Sequence, residues 1–218
     1  MESSVPALVV ALVVFVLSML VLRKVTTPAR VGKLAGRLPS RPRTVFSPDD
    51  VRRQATELLN RLADELSRTN PAEVDADLYE RAGLARSEAE RVLDSERLTD
   101  VVGALVLART GLDDLRVAAG RSQIRYQPCF FNPMHDQATR QVAYTLGAGT
   151  VSVPVCRHCQ ADIRRGGHHL DAVPSDTSPG EPYFLGDDEW AVTGYGALVE
   201  DLPAALFRYE RARREGTP

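Results

Sequence analysis

The stretch that decides the fold is "CFFNPMH" at residues 129–135, together with "VPVCRHC" at residues 153–159. These two segments hold all three cysteines of a 218-residue chain. A C-x2-C spacing lets two thiolates reach one ion at about 2.3 Å, and a tetrahedral zinc site needs four such donors. The first segment offers one further cysteine and one histidine. We therefore predict a structural zinc site with four ligands: Cys129, His135, Cys156 and Cys159.

Spacing alone leaves alternatives for the fourth ligand. Cys129 and His135 are separated by five residues, which is longer than the usual two to four. The Asn132-Pro133 dipeptide between them favours a turn that folds the segment back on itself. Three other histidines could replace His135 as the fourth ligand: His158, His168 and His169.

Other chemistry remains open for the same cysteines. A redox C-x-x-C normally lies in a βαβ context, and no such context is visible in the sequence. A catalytic zinc site keeps one open position and needs a nearby acid or base, and the chain has no HExxH or HxE motif. The cysteines could also be ordinary buried apolar residues. Structural zinc fits the paired spacing better than these three alternatives.

The residues between the two ligand pairs predict a β-hairpin followed by a short helix. The segments 140–146 and 150–155 alternate apolar and polar residues around a "GAG" turn. Pro154 cannot donate a ladder hydrogen bond, so its strand should lie at an edge. The segment "CRHCQADIRRGG" can begin a helix at Cys156, where the helix dipole favours thiolates. Turn, hairpin and helix in this order resemble the treble-clef class of zinc fingers over about residues 126–166.

A second resemblance rests on the strings "CFFNPMH" and "VPVC". They are similar to a Cys-Phe-Phe-x-Pro-x-His core and a later Val-Pro-x-Cys in a group of membrane-anchored proteins of high-GC Gram-positive bacteria. The arginine bias agrees, since the chain after Arg43 has twenty arginines and no lysine. The resemblance implies a metal-binding module and no particular activity.

The N-terminal region predicts a membrane anchor. Residues 5–22 are 18 consecutive residues without a charge, and a helix of that length spans about 27 Å, close to the thickness of the bilayer core. A cleaved signal peptide would begin with basic residues, whereas Glu2 precedes this run. The lipid bilayer is therefore an expected partner, and residues 5–22 are expected to remain as a single transmembrane helix.

Charge distribution predicts the orientation of this anchor. Seven basic residues and no acid lie between Leu22 and Ser47, in a linker over residues 23–46 that is rich in arginine, glycine and proline. The positive-inside rule places such a linker in the cytoplasm and the N-terminus outside. After Arg43 the chain has twenty basic and twenty-eight acidic residues, a net charge of −8. An acidic body is unsuited to nucleic acid, because phosphate contacts need clustered positive charge.

Three amphipathic segments predict a helical domain over residues 47–120. Ser47 and Asn70 each precede a proline and acidic residues, as helix N-caps do. The third segment, from Leu98, is the most apolar and stops near Gly120. Together they predict an antiparallel helical hairpin or a three-helix bundle. With the zinc-binding module at 121–166, the expected fold class is α+β.

Residues 167–218 predict a loop-rich segment that ends in a short helix. The segment is dense in glycine, proline, serine and aspartate before "LVEDLPAALFRYERARREGTP". Its loop part, up to residue 197, contains four aromatic residues that could pack on the body or form a binding strip: Tyr183, Phe184, Trp190 and Tyr195. Packing is the expected role, since an isolated tryptophan in a long loop often anchors that loop.

The sequence predicts function only at the level of class. It contains no nucleotide-binding loop, no nucleophile-base pattern and no evident small-molecule site, so we do not expect an enzyme. The leading hypothesis is a membrane-anchored cytoplasmic scaffold or adaptor with a structural zinc site and a protein partner. Two alternatives are a thiol- or zinc-based stress sensor, in which oxidation of thiolates releases the ion, and a zinc-dependent hydrolase.

Overall fold

The computed structural model describes residues 47–147, 149–166, 171–178 and 180–216. The predicted membrane helix at 5–22 and the basic linker at 23–46 lie outside these residues. Within the described part of the chain, no helix is long and apolar enough to cross a membrane. The described residues form a mixed α+β fold with six α-helices and one two-stranded antiparallel sheet.

The three predicted helices are present, with one change at a start. Helix α1 spans Pro48–Arg68, and its N-cap Ser47 accepts a hydrogen bond from the backbone of Asp50. Helix α2 spans Ala76–Leu93 and helix α3 spans Leu98–Ala118. The "NPAE" signal caps only a 3-10 turn at Pro71–Glu73, while Asp75 caps α2. The 3-10 turn and α2 are separate elements, because Asn70 and Asp75 each accept hydrogen bonds from the amide groups of their own turn.

Helix α3 lies at the centre of the fold. Most of its residues are buried, and they lie on all faces of the helix. They include the polar side chains of Thr99, Asp100 and Asp114. Its N-cap residue Arg97 makes no capping hydrogen bond through its side chain. Instead the carboxylate of Asp176 accepts from the amides of Leu98 and Thr99 at 3.0 and 2.9 Å. A carboxylate at this end also complements the helix dipole.

The predicted β-hairpin is present, and the cysteine-containing segment is bonded to it. Strand β1, Arg140–Leu146, pairs with strand β2, Gly149–Val155, with Val142 opposite Val153. The carbonyl of Pro154 accepts from the amide of Phe130 at 2.9 Å. The residue after Cys129 is therefore fixed to strand β2. Helix α4, Arg157–Arg164, begins directly after β2, and its N-cap is Cys156.

The C-terminal segment contains more regular structure than its composition predicts. A 3-10 turn at Tyr183–Leu185 precedes helix α5, Glu189–Thr193, and helix α6 spans Leu202–Arg214. The terminal helix is thus confirmed, while the short helix α5 was not predicted. The four aromatic side chains of its loop part, from Tyr183 to Tyr195, are buried, which confirms packing as their role.

One large hydrophobic cluster joins all parts of the described chain. It contains residues of α1, α2 and α3, the inward residues Val153 and Val155 of β2, the three cysteines, and the C-terminal aromatics. The Trp190 and Tyr195 rings stack at 5.1 Å, and Tyr195 lies 4.7 Å from Tyr183. A smaller cluster continues between α1 and α3 around Leu62 and Leu115.

Candidate metal centre

A turn at the proline brings Cys129 and His135 together. The His135 amide donates to the Asn132 carbonyl at 3.0 Å, and the Asn132 side-chain oxygen accepts from the Met134 amide at 2.9 Å. These two bonds close the turn predicted from the Asn-Pro dipeptide. The flanking Phe130 and Phe131 are fully buried. The turn is therefore held by the aromatic core on one side and by its own hydrogen bonds on the other.

The first turn of α4 positions the other pair. Cys156 is the N-cap of the helix, and its sulfur accepts from the Cys159 amide at 3.5 Å. Cys159 lies in that first turn, so both sulfurs face the helix N-terminus. The partial positive charge at this end favours thiolates over thiols.

The four predicted ligands converge at one point. One ligand atom from each of Cys129, His135, Cys156 and Cys159 lies within 4.8 Å of all the others, and all four residues are buried. His135 Nδ1 lies 3.6 Å from Cys156 Sγ and 3.4 Å from Cys159 Sγ. In a tetrahedral zinc site, Zn–S near 2.3 Å and Zn–N near 2.0 Å separate sulfur and nitrogen ligands by about 3.5 Å. The donor set and its spacing both fit such an ion.

The second ring nitrogen of His135 is held by a carboxylate. Nε2 lies 3.2 Å from Asp171 Oδ2, and the side-chain amide of Asn132 lies 3.2 Å from the same nitrogen. An ion bound at Nδ1 would leave the proton of the ring on Nε2, where it can be donated to Asp171. Carboxylate–histidine pairs of this kind orient metal-binding histidines and increase their basicity.

Mutual contacts among the four side chains shift their pKa values in opposite directions. Burial lowers the pKa of His135, but hydrogen bonds with Cys129, Cys156 and Asp171 outweigh it and raise the pKa to about 10. Contacts with Cys129 and Cys159 lower the pKa of Cys156, whereas contacts with Cys129 and Cys156 raise the pKa of Cys159. Three neighbouring thiolates repel one another, so all of them ionise together only beside a compensating positive charge.

Among the alternative fourth ligands, only His158 lies in the part of the chain that the structure describes, and it does not replace His135. His158 is exposed on α4 and is not part of the four-residue group. His168 and His169 lie outside the described residues.

Two residues of the site were not predicted from the sequence. Asp171 carried no signal, since nothing in its neighbourhood distinguished it from the other acids of an acidic chain. Asn132 was noted for its turn but not for its contact with the histidine ring. The proximity of each to His135 is a tertiary property, which spacing along the chain does not encode.

Comparisons with known protein families, with curated proteins and with solved structures find no match to this chain. The resemblance to the membrane-anchored group and to the treble-clef class therefore stays a prediction.

Proposed function

We propose that Cys129, His135, Cys156 and Cys159 bind one structural zinc ion in a membrane-anchored scaffold or adaptor protein. The observation that carries the metal assignment is the convergence of four buried ligand atoms within 4.8 Å of one another. Three thiolates and one imidazole are a common ligand set of structural zinc sites. The order of turn, hairpin and helix around them is the order of a treble clef.

The geometry favours a structural role over a catalytic one. Four protein ligands fill a tetrahedral zinc ion and leave no position for water or substrate, which a hydrolase requires. The ligands also belong to the main hydrophobic cluster, with all three cysteine side chains fully buried. An ion at this point joins the turn at 129–135, the end of β2 and the start of α4.

The same burial favours a scaffold over a stress sensor. Sensor thiolates react because they are accessible to oxidants as well as ionised. The three cysteines here are 0% exposed, so their sulfurs are not accessible to an oxidant in solution. Zinc should therefore stay bound under mild peroxide until the chain unfolds, and release from the folded protein would support the sensor instead.

Metal content of the purified full chain tests the zinc assignment. We expect about one zinc per chain by inductively coupled plasma mass spectrometry, and loss of most of it in Cys156→Ser. His158→Gln is the matched control, because it removes an exposed histidine from the same helix and should leave the zinc content unchanged. A native chain without zinc, or equal loss in both variants, would refute the assignment.

The membrane anchor is supported by the sequence of residues 5–22 and by the seven basic residues that follow. Extraction of membranes with alkaline carbonate tests it. We expect the full chain to remain in the membrane pellet and a variant lacking residues 5–22 to become soluble. Recovery of both proteins in the supernatant would contradict an anchor.

The scaffold role requires a protein partner on the exposed surface. The aromatic residues considered for a binding strip are buried, so a partner would meet other side chains, of which Phe207 on α6 is 63% exposed. Cross-linking in membranes should capture a specific protein with the full chain and not with residues 1–46 alone. Equal capture by both would remove the support for a scaffold formed by the folded body.

A further inference from the structure

A groove between α1 and α3 is lined by three arginines. Its volume is about 180 Å³, and Arg61 of α1 faces it together with Arg109 and Arg116 of α3. Tyr126 and Asp113 are among the other polar residues of its lining. We call this set of five residues the arginine groove.

The arginine groove carries more positive charge than its own acid can neutralise. Among the described residues, neither Arg61 nor Arg109 has a carboxylate within ion-pairing distance. Arg116 approaches Asp113 only to 4.0 Å. The other oxygen of Asp113 accepts from the backbone amide of Tyr126 at 2.5 Å. Three guanidinium groups therefore face one carboxylate, which leaves a net charge of about +2 at neutral pH.

This excess contrasts with the charge of the rest of the chain. The segment after Arg43 has a net charge of −8, and most other arginines of the described residues pair with acids. Clustered unpaired arginines repel one another and cost stability unless an anion binds between them. The planar guanidinium group matches phosphate oxygens through two parallel hydrogen bonds.

We propose that the arginine groove binds a phosphate group, carried either by a soluble phosphate monoester or by the headgroup of an anionic lipid. Its volume is below the range of about 300–1,000 Å³ typical of sites for whole drug-sized ligands, so the groove takes the phosphate and leaves the rest of the ligand outside. Lipid would be available to a chain anchored as proposed, although the observations that support phosphate binding rest neither on that anchor nor on zinc.

The groove also contacts the turn of the metal centre. Arg109 Nη1 donates to the Pro133 carbonyl at 3.0 Å, and the Tyr126 hydroxyl donates to the same carbonyl at 3.3 Å. A bound phosphate would hold the Arg109 guanidinium against this turn. Because Arg109 has this second contact, its replacement would not isolate phosphate binding, and Arg61 is the better position to test.

Calorimetric titration of the purified full chain in detergent with inorganic phosphate tests the proposal. We expect saturable binding to one site per chain and a roughly tenfold or greater loss of affinity in Arg61→Gln, since one charge-assisted hydrogen bond is removed. Arg213→Gln removes an exposed arginine of α6 as the matched control and should bind phosphate as the native chain does. Absence of saturable binding, or equal weakening in both variants, would overturn the proposal.

A second arm distinguishes the two sources of phosphate. The same titration is repeated in mixed micelles of phosphatidylcholine, with or without phosphatidic acid. If the headgroup occupies the groove, phosphatidic acid abolishes the heat released when inorganic phosphate binds to the native chain. If the ligand is a soluble monoester, the heat is retained and glycerol phosphate binds at least as tightly as inorganic phosphate. Zinc content is measured in parallel. A chain that keeps its zinc but binds no phosphate shows that the phosphate proposal has failed while the metal site has not.

Discussion

His135 illustrates how a single side chain connects two parts of the metal centre. Nδ1 faces the sulfurs of Cys156 and Cys159, while Nε2 faces the carboxylate of Asp171. A ring held at both nitrogens keeps one tautomer and one orientation. The position of Asp171 therefore matters to the site although the residue provides no ligand atom to the cluster.

Asp171→Asn should weaken zinc binding without abolishing it. An amide is a poorer acceptor for the Nε2 proton than a carboxylate, so the imidazole becomes less basic and less well oriented. We expect the zinc dissociation constant to rise by about 10- to 100-fold, measured by competition with a chromogenic chelator. Asp136→Asn removes the exposed carboxylate next to His135 and should leave the constant unchanged. An unchanged constant in Asp171→Asn would show that the contact has no role in binding.

Asp114 is a second residue whose surroundings control its charge. It lies on α3 with 2% of its surface exposed, 3.2 Å from Arg81 and 3.4 Å from Arg125. Burial raises the pKa of Asp114 to about 7, against the opposing effect of Arg81. The folded chain therefore holds this proton up to about neutral pH, whereas the unfolded chain releases it near pH 4.

This difference predicts how stability depends on pH. Between about pH 4 and about pH 7 the folded state binds more protons than the unfolded state, so the free energy of unfolding falls as pH rises. Measured by urea unfolding, the free energy of unfolding of the native chain should fall by up to about 4 kcal/mol across that interval, relative to that of Asp114→Asn. Acid effects on the metal ligands occur in both proteins and cancel. Asp77→Asn, at an exposed position, should follow the native curve. If the free energy of unfolding of the native chain rose with pH relative to that of Asp114→Asn, the raised pKa of Asp114 would be contradicted.

At the scale of elements, helix α3 depends on contacts made by the C-terminal segment. Asp176 caps its N-terminus, and the Trp190 indole donates to Asp100 at 2.7 Å. The Trp190 ring lies against the backbone of Gly103, where an added Cβ would fall 2.2 Å from the ring. A glycine is thus required inside this helix by the close approach of an aromatic ring.

Gly103→Ala should destabilise the protein although alanine is the better helix former. The methyl group would displace Trp190 from a packed core, which costs about 1–3 kcal/mol, against a gain of about 0.5–1 kcal/mol in helix propensity. Gly83→Ala in α2 is the matched control, since nothing lies within 4 Å of an added Cβ there, and it should be slightly stabilising. Thermal and urea unfolding measure both. Stabilisation in both variants would mean that the Trp190 ring does not pack closely against the backbone of α3 at Gly103.

At the scale of the whole molecule, the metal centre belongs to the same hydrophobic cluster as the helices. Phe131 packs on Tyr144 at 4.9 Å and on Phe184 at 5.6 Å. The Tyr183 hydroxyl donates to the Phe130 carbonyl at 2.5 Å. Loosening the turn at 129–135 should therefore loosen the C-terminal aromatics as well. A metal-binding module that folded by itself would not transmit such a change.

Removal of zinc should lower the melting temperature of the entire described fold. Structural zinc contributes several kcal/mol or more, and each kcal/mol corresponds to about 2–4 °C in a domain of this size. We expect a decrease of about 10 °C or more with a strong chelator, accompanied by a change in Trp190 fluorescence. Cys156→Ser should not respond to the chelator. A chelator effect confined to the hairpin, with Trp190 unchanged, would argue for an independent module.

Several features could be predicted because their signals are local. Helix caps such as Ser47, the period-2 pattern of the hairpin and the C-x2-C spacing each act within a few residues. The convergence of Cys129 and His135 on the second pair followed from zinc's need for four donors. The start of α2 was misplaced because Asn70 and Asp75 both carry capping chemistry: Asn70 caps the 3-10 turn and Asp75 caps the helix.

The sequence by itself determined the helices other than the short α5, the hairpin and the four converging side chains, since backbone propensity and ligand chemistry operate over short stretches of chain. The tertiary structure alone decided that Asp171 holds His135, that Asp176 caps α3 and that Arg61 lines a groove with Arg109. Each of these contacts joins residues from separate elements, and its existence depends on how those elements pack. No spacing rule along the chain specifies such distances.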